Sequence, residues 1–589
     1  MKILKKLLLL LSFTEIKKAI LLVIAIIVMA IFEMMGVVSI MPFLTVLMNP
    51  EFIETNISLN KIYTFSRIIG VETNQQFLFL LASISFVLLI ASIILKIFTI
   101  YLSVWFISMC NFSFSKRLVE GYLHQPYSWF LNRHSADLGK TILAEVGVVV
   151  NKSLYPLLNI IKQTIVAIVL LGLLLIVDPK LTIIVSSILS LAYGFIYLFI
   201  RKYIKKIGQD RLDSNKWRFT NLSEAFGAFK EIKISGLESI YISKFSKPAK
   251  KLARINAIYG FIKQLPRFAL EAIVFGGILI LVLFLMTKHG SISNAIPTIG
   301  LYALASYRLM PALQEIFISI TEMRYSNASL DSMYDDMKNL KSFHNSSDQY
   351  QNLNFNNQLS LKNINFSYPN TSKSTLKDLN LKIKSKSKIG IIGKTGSGKT
   401  TLIDIILGLL EPQKGTIEVD NIIIDKNNVK SWQKMIGYVP QHIFLTDDTI
   451  ASNIALGTET NLINRKKIEK VSKIVNLHEF ITNDLPKKYE TTVGERGVRL
   501  SGGQRQRIGI ARALYRDPKI LVLDEATSAL DNETEKMVMD SLQNNYKEIT
   551  IIMIAHRLST VKNCDNIFQM EKGELKSQVV FDALVKENI

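Results

Sequence analysis

Six apolar runs occupy nearly half of the first 320 residues of the sequence. Each run is long enough to cross the hydrocarbon core of a bilayer, which takes about 20 helical residues. They therefore predict an all-α membrane domain, residues 1–340, with six membrane-spanning helices. The spans are predicted near residues 19–48, 76–104, 154–177, 181–200, 265–286 and 295–319.

The distribution of lysine and arginine gives these spans an orientation. The three segments predicted to be external hold only four basic residues, Lys61, Arg67, Lys180 and Lys288. The inner segments 105–153 and 201–264 are strongly basic, and basic residues remain on the cytoplasmic side of membrane proteins. Both termini are therefore predicted to be cytoplasmic, and the inner segments to be helices that continue past the membrane. The same bias accounts for the net charge of +22 without a nucleic-acid partner.

The character of the sequence changes near residue 340. Residues 341–354 are polar and without periodicity, which predicts a linker. In residues 355–589, short β-rich runs such as KIGIIG and KILVLDE alternate with helical patterns. Strands that alternate with helices are typical of an α/β domain with a mainly parallel core sheet. The sequence therefore predicts a multidomain chain, with a six-span all-α domain followed by an α/β domain.

The α/β domain contains the phosphate-binding pattern G-x-x-x-x-G-K-[ST] between a strand, KIGII, and an apolar helix, TTLIDIILGLL. Backbone N–H groups of such a loop close around phosphates, and its lysine reaches the β- and γ-phosphates of ATP. The threonine that follows the lysine is predicted to bind Mg²⁺. The predicted ATP-binding residues of the loop are Gly393, Lys394, Thr395, Gly396, Ser397, Gly398, Lys399, Thr400 and Thr401.

A second apolar strand, ILVL, ends in two carboxylates 125 residues after the loop lysine. Asp524 is predicted to hold the magnesium shell, usually through water. Glu525 is predicted to face the γ-phosphate and to act as general base on the attacking water. Taken alone, the pair could be an acidic strand end that meets solvent. The phosphate-binding loop upstream favours the catalytic interpretation.

The combination of this loop with LSGGQ, LDEATSALD and IAHR resembles the ATP-binding cassettes of ABC transporters, over about residues 355–585. The resemblance implies further roles. Tyr368 would stack on adenine, Gln441 would contact Mg²⁺ and the attacking water, and His556 would touch the γ-phosphate during catalysis. The signature sequence, which acts on the ATP of a second cassette, would be Leu500, Ser501, Gly502, Gly503 and Gln504. The D-loop would be Ser528, Ala529, Leu530 and Asp531.

One cassette after six spans resembles the half-transporters of the exporter-type ABC fold. In that family the signature of one cassette completes the ATP site of another, and this chain has one copy of each motif. The resemblance therefore implies a homodimer with two composite sites for ATP and Mg²⁺. Residues 126–142 and 221–238 resemble the coupling helices of the fold, which would convert closure of the cassettes into motion of the spans.

Three basic residues inside the predicted spans are candidates for binding a substrate, namely Lys96, Arg267 and Arg308. A charge within the bilayer costs roughly 2.5–3.5 kcal/mol on insertion scales, so it needs a partner. Both arginines have a glutamate within two turns, and internal salt bridges are one interpretation. In the exporter fold the fifth and sixth spans line the central cavity, where guanidinium groups would suit a phosphate.

Two short membrane motifs, VVSIMPFL at 37–44 and YRLMPA at 307–312, are similar to bacterial flippases of lipid-linked oligosaccharides in protein glycosylation. In that group, cavity arginines are thought to engage a lipid pyrophosphate. A short external helix, here within 49–71, is proposed to meet the polyprenyl tail. Lys96 stands where arginine is expected and lacks the guanidinium fork. The resemblance implies ATP-driven translocation of a lipid-linked glycan across the bacterial cytoplasmic (inner) membrane.

Two other functions are compatible with the sequence. The first is an exporter of peptides, lipids or drugs, since lipid A-type lipids would also favour a cationic cavity. The second is an ATP-gated channel or regulator. The presence of Glu525 argues against the second, because gating alone tolerates the loss of a catalytic base.

Overall fold

The computed structural model describes residues 2–48, 50–68, 70–177, 179–289, 292–340, 353–369, 371, 373–555 and 558–579. The chain divides into two compact units. The first comprises Met1–Gln125 and Asn132–Phe343, and the second comprises Pro126–Leu131 and His344–Ile589. The predicted linker lies outside the described residues except for its last two, 353 and 354.

The first 340 residues form helices, as their apolar periodicity predicts. All of these helices except α7 belong to the first unit. Two π-helical segments, Thr141–Glu145 and Val150–Leu154, join α8, α9 and α10. In chain order the helices are α1 (Lys2–Leu10), α2 (Phe13–Val38), α3 (Ile40–Met48), α4 (Phe52–Thr55), α5 (Ile57–Arg67), α6 (Asn74–Leu123), α7 (Tyr127–Phe130), α8 (Ser135–Lys140), α9 (Val146–Val149), α10 (Tyr155–Val177), α11 (Pro179–Gly227), α12 (Phe229–Ser235), α13 (Glu238–His289), α14 (Ile292–Tyr325) and α15 (Asn327–Asn339).

The six predicted spans fall on the long helices of this unit, with the first span divided between α2 and α3. Within the described residues, three helical stretches are long and apolar enough to cross a membrane, namely Phe13–Leu47, Asn74–Leu123 and Ser135–Ile176. Three helices are much longer than a bilayer requires: α6 has 50 residues, α11 has 49 and α13 has 52. The chain therefore forms long rods beyond the predicted spans.

A buried polar cluster joins the helix extensions of the first unit. The guanidinium of Arg211 on α11 donates a hydrogen bond of 2.6 Å to Glu145, which ends the first π-helical segment. The amide of Asn215 donates to the other carboxylate oxygen at 2.8 Å. Near this cluster Gly208 allows α11 to approach α14, since a Cβ there would lie 2.3 Å from the carbonyl oxygen of Tyr325. A close backbone contact thus joins α11 to α14, and a buried ion pair joins α11 to the first π-helical segment.

The second unit alternates strands with helices. Its elements in chain order are β1 (Gln358–Phe366), β2 (Leu376–Lys384), β3 (Lys388–Gly393), α16 (Lys399–Ile406), β4 (Lys414–Val419), β5 (Ile422–Ile423), α17 (Val429–Lys434), β6 (Ile436–Val439), α18 (Ile450–Ile454), α19 (Arg465–Ile474), α20 (Gly502–Leu514), β7 (Ile520–Asp524), α21 (Asn532–Asn545), β8 (Thr550–Ile554), β9 (Asn566–Glu571) and β10 (Glu574–Val579).

The core of the second unit is a six-stranded sheet with the order β10-β9-β3-β8-β7-β6. All of its neighbouring pairs are parallel except β10–β9. This arrangement confirms the predicted α/β fold with a mainly parallel sheet. It also places the carboxyl ends of β3, β6 and β7 at one edge of the sheet, where open α/β folds bind ligands.

A second sheet was not predicted from the sequence. It is antiparallel, with the order β2-β1-β4-β5. Its apolar residues, such as Leu379, Leu381 and Ile383, alternate along β2 and are buried in one cluster with residues of α16 and β3. The antiparallel sheet therefore shares a hydrophobic core with the strand and the helix that flank the phosphate-binding loop.

Candidate functional site

The phosphate-binding loop lies where β3 ends and α16 begins. Gly398 has a φ of +101°, a conformation that residues with a side chain rarely adopt. A Cβ at this position would also come within 2.9 Å of the Leu376 side chain. Glycine therefore lets the chain turn sharply into α16, so that the first N–H groups of the helix remain available for an anion.

Two side chains of the loop are arranged for polar ligands. The ammonium of Lys399 donates to the carbonyl oxygens of Gly393 at 2.6 Å and Lys394 at 3.1 Å. Burial lowers the pKa of Lys399, while the carboxylates of Glu525 and Asp524 act in the opposite direction. The hydroxyl of Ser397 is buried, and no described residue forms a hydrogen bond with it. A buried hydroxyl without a partner is costly, so this loop fits a phosphate that would satisfy it.

Tyr368 is connected to this loop. Its hydroxyl lies 3.1 Å from the Thr401 hydroxyl of α16, and its ring packs edge-on against Phe366 at 5.1 Å. The ring is half-buried, and its stacking on adenine stays a prediction. The predicted Mg²⁺ ligand Thr400 is exposed at the start of the same helix.

Asp524 is the last residue of β7 and belongs to a cluster of acidic and phenolic groups. Burial raises its pKa, and the neighbouring charge of Glu525 adds to this effect. The Tyr438 hydroxyl donates to it at 3.4 Å. Burial together with the charge of Asp524 raises the pKa of Asp404 to about 6. Like charges gathered in this way favour a cation, and the sequence analysis did not identify Asp404 or Tyr438 as part of the site.

Glu525 and Gln441 are brought together by the fold, although 84 residues separate them. The amide of Gln441 donates to a carboxylate oxygen of Glu525 at 2.7 Å. Glu525 has a φ of +50°, a backbone conformation that is uncommon for residues other than glycine. The predicted base and the predicted glutamine are therefore in direct contact. The third predicted catalytic residue, His556, lies outside the described residues.

The predicted signature begins α20. Ser501 caps this helix, because its hydroxyl accepts a hydrogen bond from the Gln504 N–H at 3.2 Å and the Gln504 side chain accepts one from Ser501 at 2.8 Å. This capping box leaves the Ser501 hydroxyl proton free to donate to an anion. Leu500 is buried, and Gly502 and Gly503 form the first turn of the helix.

A residue that the sequence analysis missed links the signature helix to the predicted D-loop. The side chain of Gln506 donates to the Ser528 hydroxyl at 3.2 Å and accepts from the Ala529 N–H at 2.9 Å. The loop then continues through Leu530 to Asp531, which caps α21 by accepting from the Thr534 N–H at 2.8 Å. Gln506 lies two residues beyond the signature, and the residues around it in the sequence give no signal of this role.

Comparison with known proteins identifies the family. Residues 376–528 match the model of the ABC transporter domain, and residues 16–307 match that of the ABC transporter transmembrane region. Over 447 residues the chain is 32% identical to the ABC transporter B family member 29, chloroplastic, of Arabidopsis thaliana, covering 75% of this chain and 69% of that protein. The chain belongs to the ABC transporter family.

Other similarities of this ABC transporter extend over most of its length. It is 27% identical over 480 residues to the ATP-dependent lipid A-core flippase of Cupriavidus metallidurans, covering 80% of this chain and 79% of that protein. Its fold matches that of a bacterial Atm1-family ABC exporter solved with ATP bound. That match has a TM-score of 0.78 at 20% identity and covers 98% of this chain and 97% of the other. The protein is thus an ATP-hydrolysing transporter of the exporter fold, and its second unit is an ATP-binding cassette.

The charged residues predicted for the membrane cavity of this ABC transporter are in different situations. Lys96 lies 3.5 Å from Glu33, whose side chain is buried. Arg267 lies 2.8 Å from Glu271 one turn along α13, and 58% of its side chain is exposed. The side chain of Arg308 lies outside the described residues. Lys96 therefore has an internal counter-charge on another helix, whereas Arg267 pairs only locally among the contacts described.

Proposed function

We propose that this ABC transporter is a homodimeric, Mg²⁺- and ATP-dependent flippase for a polyprenyl-pyrophosphate-linked oligosaccharide in the bacterial cytoplasmic membrane. The observation that supports it best is Arg267. This guanidinium lies in a predicted span beside Pro266, and more than half of its side chain is uncovered. A charge in that position needs a partner, and a phosphate can accept two of its hydrogen bonds.

The pair with Glu271 suits a substrate site rather than a permanent structural bridge. Both residues belong to α13, so exchanging the glutamate for a substrate phosphate requires no separation of helices. Arg308 would add a second guanidinium from α14, and Lys96 a further charge. A contact of this kind binds an anionic headgroup and still allows its release when the cavity changes shape.

The external segment after the first span supports a substrate with a long apolar tail. One side of α5 packs on the unit through Leu59 and through Tyr63, whose ring meets Phe77 edge-on at 5.0 Å. The other side exposes Ile57 by 77% and Phe65 by 67%. Such a face is suited to a polyprenyl chain near the outer end of the transport path.

The flippase names of several relatives give a second candidate substrate of related chemistry. The relative from Cupriavidus metallidurans is named for lipid A-core, and this chain is 27% identical to it. A lipid A-type glycolipid would also present an anionic head to Arg267 and Arg308. The more general alternative is an exporter of peptides, lipids or drugs.

Flipping of defined substrates in proteoliposomes distinguishes these candidates. We expect ATP-dependent flipping of a polyprenyl-pyrophosphate-linked glycan, a loss of about 10- to 100-fold in Arg267→Ala and Arg308→Ala, and retained basal ATP hydrolysis. Arg267→Lys should recover only part of the activity, since lysine lacks the planar fork. The matched control is Arg254→Ala, an exposed arginine on α13 outside the predicted span. Flipping of lipid A alone, or normal flipping of the glycan by both alanine variants, would overturn the proposed substrate.

The same cassette geometry supports ATP hydrolysis with Mg²⁺. When bound, the ion would neutralise the phosphates and the acidic edge of the sheet. Thr400, Gln441 and Asp524 would hold it, mainly together with phosphate oxygens and water. This agrees with the described part of the cassette, where no group of three or more acidic, histidine or cysteine residues could hold a metal alone. Glu525 would take the proton of the attacking water.

The proposed homodimer is tested by mixing two inactive chains. Lys399→Ala disables the phosphate loop, and Ser501→Arg blocks the signature. If each ATP site uses the loop of one chain and the signature of the other, a mixed dimer keeps one intact site. Verified mixed dimers should therefore recover part of the ATP hydrolysis that both parent homodimers lack. Absence of recovery would contradict composite sites while leaving the substrate proposal untouched.

A further inference from the structure

One lysine of the first unit lies among the helix extensions without a carboxylate of its own. Lys152 belongs to the second π-helical segment, Val150–Leu154, and is half-buried. Its ammonium lies 5.1 Å from the centre of the Tyr259 ring and 4.9 Å from that of Tyr325. The two rings are stacked at 4.0 Å, so the ammonium lies beside both. Among the described residues, no oxygen accepts a hydrogen bond from this ammonium.

The charges around Lys152 leave it as the cation in excess. Four ionised groups act on its ammonium, namely Arg211, Lys263, Glu145 and Glu322. Glu145 already accepts a hydrogen bond from Arg211 at 2.6 Å. Glu322 likewise accepts one from Lys263 at 2.8 Å. Three cations thus share two carboxylates within the described part of this cluster, and a partly buried charge without a partner is costly.

Two buried donors of the same cluster form no hydrogen bond with any described residue. They are the Nε–H group of Arg211 and the hydroxyl of Tyr259, and these two residues are 5% and 7% exposed. Glu322 acts on the Tyr259 hydroxyl, but its carboxylate is held by Lys263 at 2.8 Å. Buried donors without an acceptor cost free energy. A ligand with several acceptor oxygens and a negative charge would suit this set of donors.

The position of the cluster along the helices indicates where such a ligand comes from. Lys152 and Lys263 each lie two residues before a predicted span, and Glu322 lies three residues after one. At about 1.5 Å per residue, these groups lie roughly 3–5 Å beyond the hydrocarbon core on the predicted cytoplasmic side. The headgroup layer extends about 5–8 Å beyond the core, so lipid phosphates occupy this level.

We propose that Lys152 binds a phosphate group at the cytoplasmic end of the spans, and that this phosphate belongs to an anionic lipid of the cytoplasmic leaflet. The ammonium supplies the charge, and Arg211 and Tyr259 supply further donors. The site combines the second π-helical segment with α11, α13 and α14, and π-helical segments occur frequently at functional sites. The proposal does not depend on which substrate is translocated.

Chemical labelling of lysines tests this site directly. The full chain is purified in a maltoside detergent, which contains no phosphate, and is acetylated while mass spectrometry follows each lysine. We expect phosphatidylglycerol to slow the acetylation of Lys152 at least fivefold, because a bound phosphate covers the ammonium. Dioleoylglycerol, a lipid without phosphate, should not slow it when the phosphatidylglycerol carries the same acyl chains. Lys251, which is 54% exposed and pairs with Asp210, should react equally with either lipid.

Inorganic phosphate in the same experiment identifies the source of the ligand. Protection of Lys152 by inorganic phosphate but not by phosphatidylglycerol would overturn the lipid as the source and keep the phosphate site. Equal protection by phosphatidylglycerol and dioleoylglycerol, or no protection by any of the three additions, would overturn the site itself. A Lys152 that does not react in detergent alone would also overturn it, because no ligand would then reach the ammonium.

Thermal unfolding distinguishes binding from a purely structural role of Lys152. Without nucleotide, the first unit of the wild type should unfold at least about 2 °C higher with phosphatidylglycerol than with dioleoylglycerol. Lys152→Met keeps an unbranched side chain and should lose this difference, while Lys152→Arg should retain part of it. Lys251→Met is the matched control and should retain all of it. A wild type without the difference would contradict the proposal. So would a Lys152→Met variant that is destabilised equally in both lipids and keeps the difference.

Discussion

The first unit, which carries the predicted spans and is called the membrane unit from here on, differs from the cassette in the surroundings of its buried ionisable groups. In the membrane unit, Arg211 and Glu145 are buried together and Asn215 binds the remaining carboxylate oxygen. In the cassette, Asp404 and Asp524 have raised pKa values because they are buried near each other or near another carboxylate. The Arg211–Glu145 pair thus carries its own counter-charge, whereas the cassette gathers like charges that a nucleotide-bound cation would neutralise. The difference indicates which carboxylates support the structure and which serve the reaction.

The largest expected effect tests the catalytic side of this comparison. Glu525→Gln keeps the size of the side chain and a hydrogen-bonding partner for Gln441 but removes the base. Losing a positioned base typically costs about 10²- to 10⁴-fold, so steady-state hydrolysis should nearly cease while ATP binding persists. Turnover and nucleotide binding are measured on the same sample. Turnover close to the wild-type value would remove Glu525 from the role of base.

The next effect tests the structural side. Glu145→Gln leaves the buried guanidinium of Arg211 without its counter-charge. Breaking one partner of a buried pair costs about 3–5 kcal/mol, so thermal unfolding of the membrane unit should shift to clearly lower temperature. Unfolding is monitored in nanodiscs without nucleotide, so that ATP binding does not contribute. An unchanged transition would show that this pair does not hold the helix extensions together.

A smaller effect depends on pH and distinguishes the cassette from the membrane unit. The pKa of Asp404 is raised to about 6 in the folded cassette. Between about pH 4 and pH 6, Asp404 is therefore protonated in the folded cassette, whereas the unfolded chain has already lost this proton. Stability therefore falls as pH rises through this window. Asp404→Asn should remove the penalty and stabilise the cassette at pH 8 by at most about 3 kcal/mol, with little effect at pH 4.

Asp420 provides a control of opposite sign for this measurement. Burial raises its pKa, but N–H groups of Asn356, Gln358 and Asn357 outweigh burial and lower it. Its carboxylate therefore stabilises the fold at neutral pH, and this contribution is lost as pH falls through the lowered pKa. Asp420→Asn should destabilise the cassette at pH 8 and much less in acid. Parallel pH profiles for the two variants would contradict the assignment of Asp404 as a destabilising charge.

The smallest expected effect sharpens the contrast within the membrane unit. Asp210 precedes Arg211 and pairs with Lys251 at 2.7 Å, but the two side chains are 32% and 54% exposed. Exposed pairs contribute about 0–1 kcal/mol, so Asp210→Asn should leave unfolding within that range. The measurement is made beside Glu145→Gln under identical conditions. A loss as large as that of Glu145→Gln would mean that burial does not separate structural from peripheral pairs here.

The sequence predicts those features whose signals are local. The strands β3 and β7 were predicted because each is a short apolar run, and the loop between β3 and α16 because its spacing is specific. The antiparallel sheet was missed although the alternation in β2 was present in the sequence. Exposed residues, including two lysines, lie between the buried apolar residues of β2, so this strand has no continuous apolar run. A short alternating pattern is a weaker signal of a strand than a continuous apolar run.

Contacts between distant residues were not predictable from one sequence. Arg211 and Glu145 are 66 residues apart, and no local pattern distinguishes them from other charges in the basic inner segments. The raised pKa of Asp404 likewise depends on burial in the folded sheet. By contrast, the pairing of Arg267 with Glu271 follows from their spacing of four residues on a helix.

The single amide of Gln506 has a kinetic consequence for a dimeric enzyme. It joins the signature helix, which in a dimer would serve the partner's nucleotide, to the D-loop of its own chain. In such a dimer, a displacement at one nucleotide would be transmitted to the other through this side chain, which is 5% exposed. The two sites would therefore not hydrolyse ATP independently, and the rate of ATP turnover would rise cooperatively with ATP concentration. Shortening the side chain in Gln506→Ala should bring the Hill coefficient close to that of two uncoupled sites.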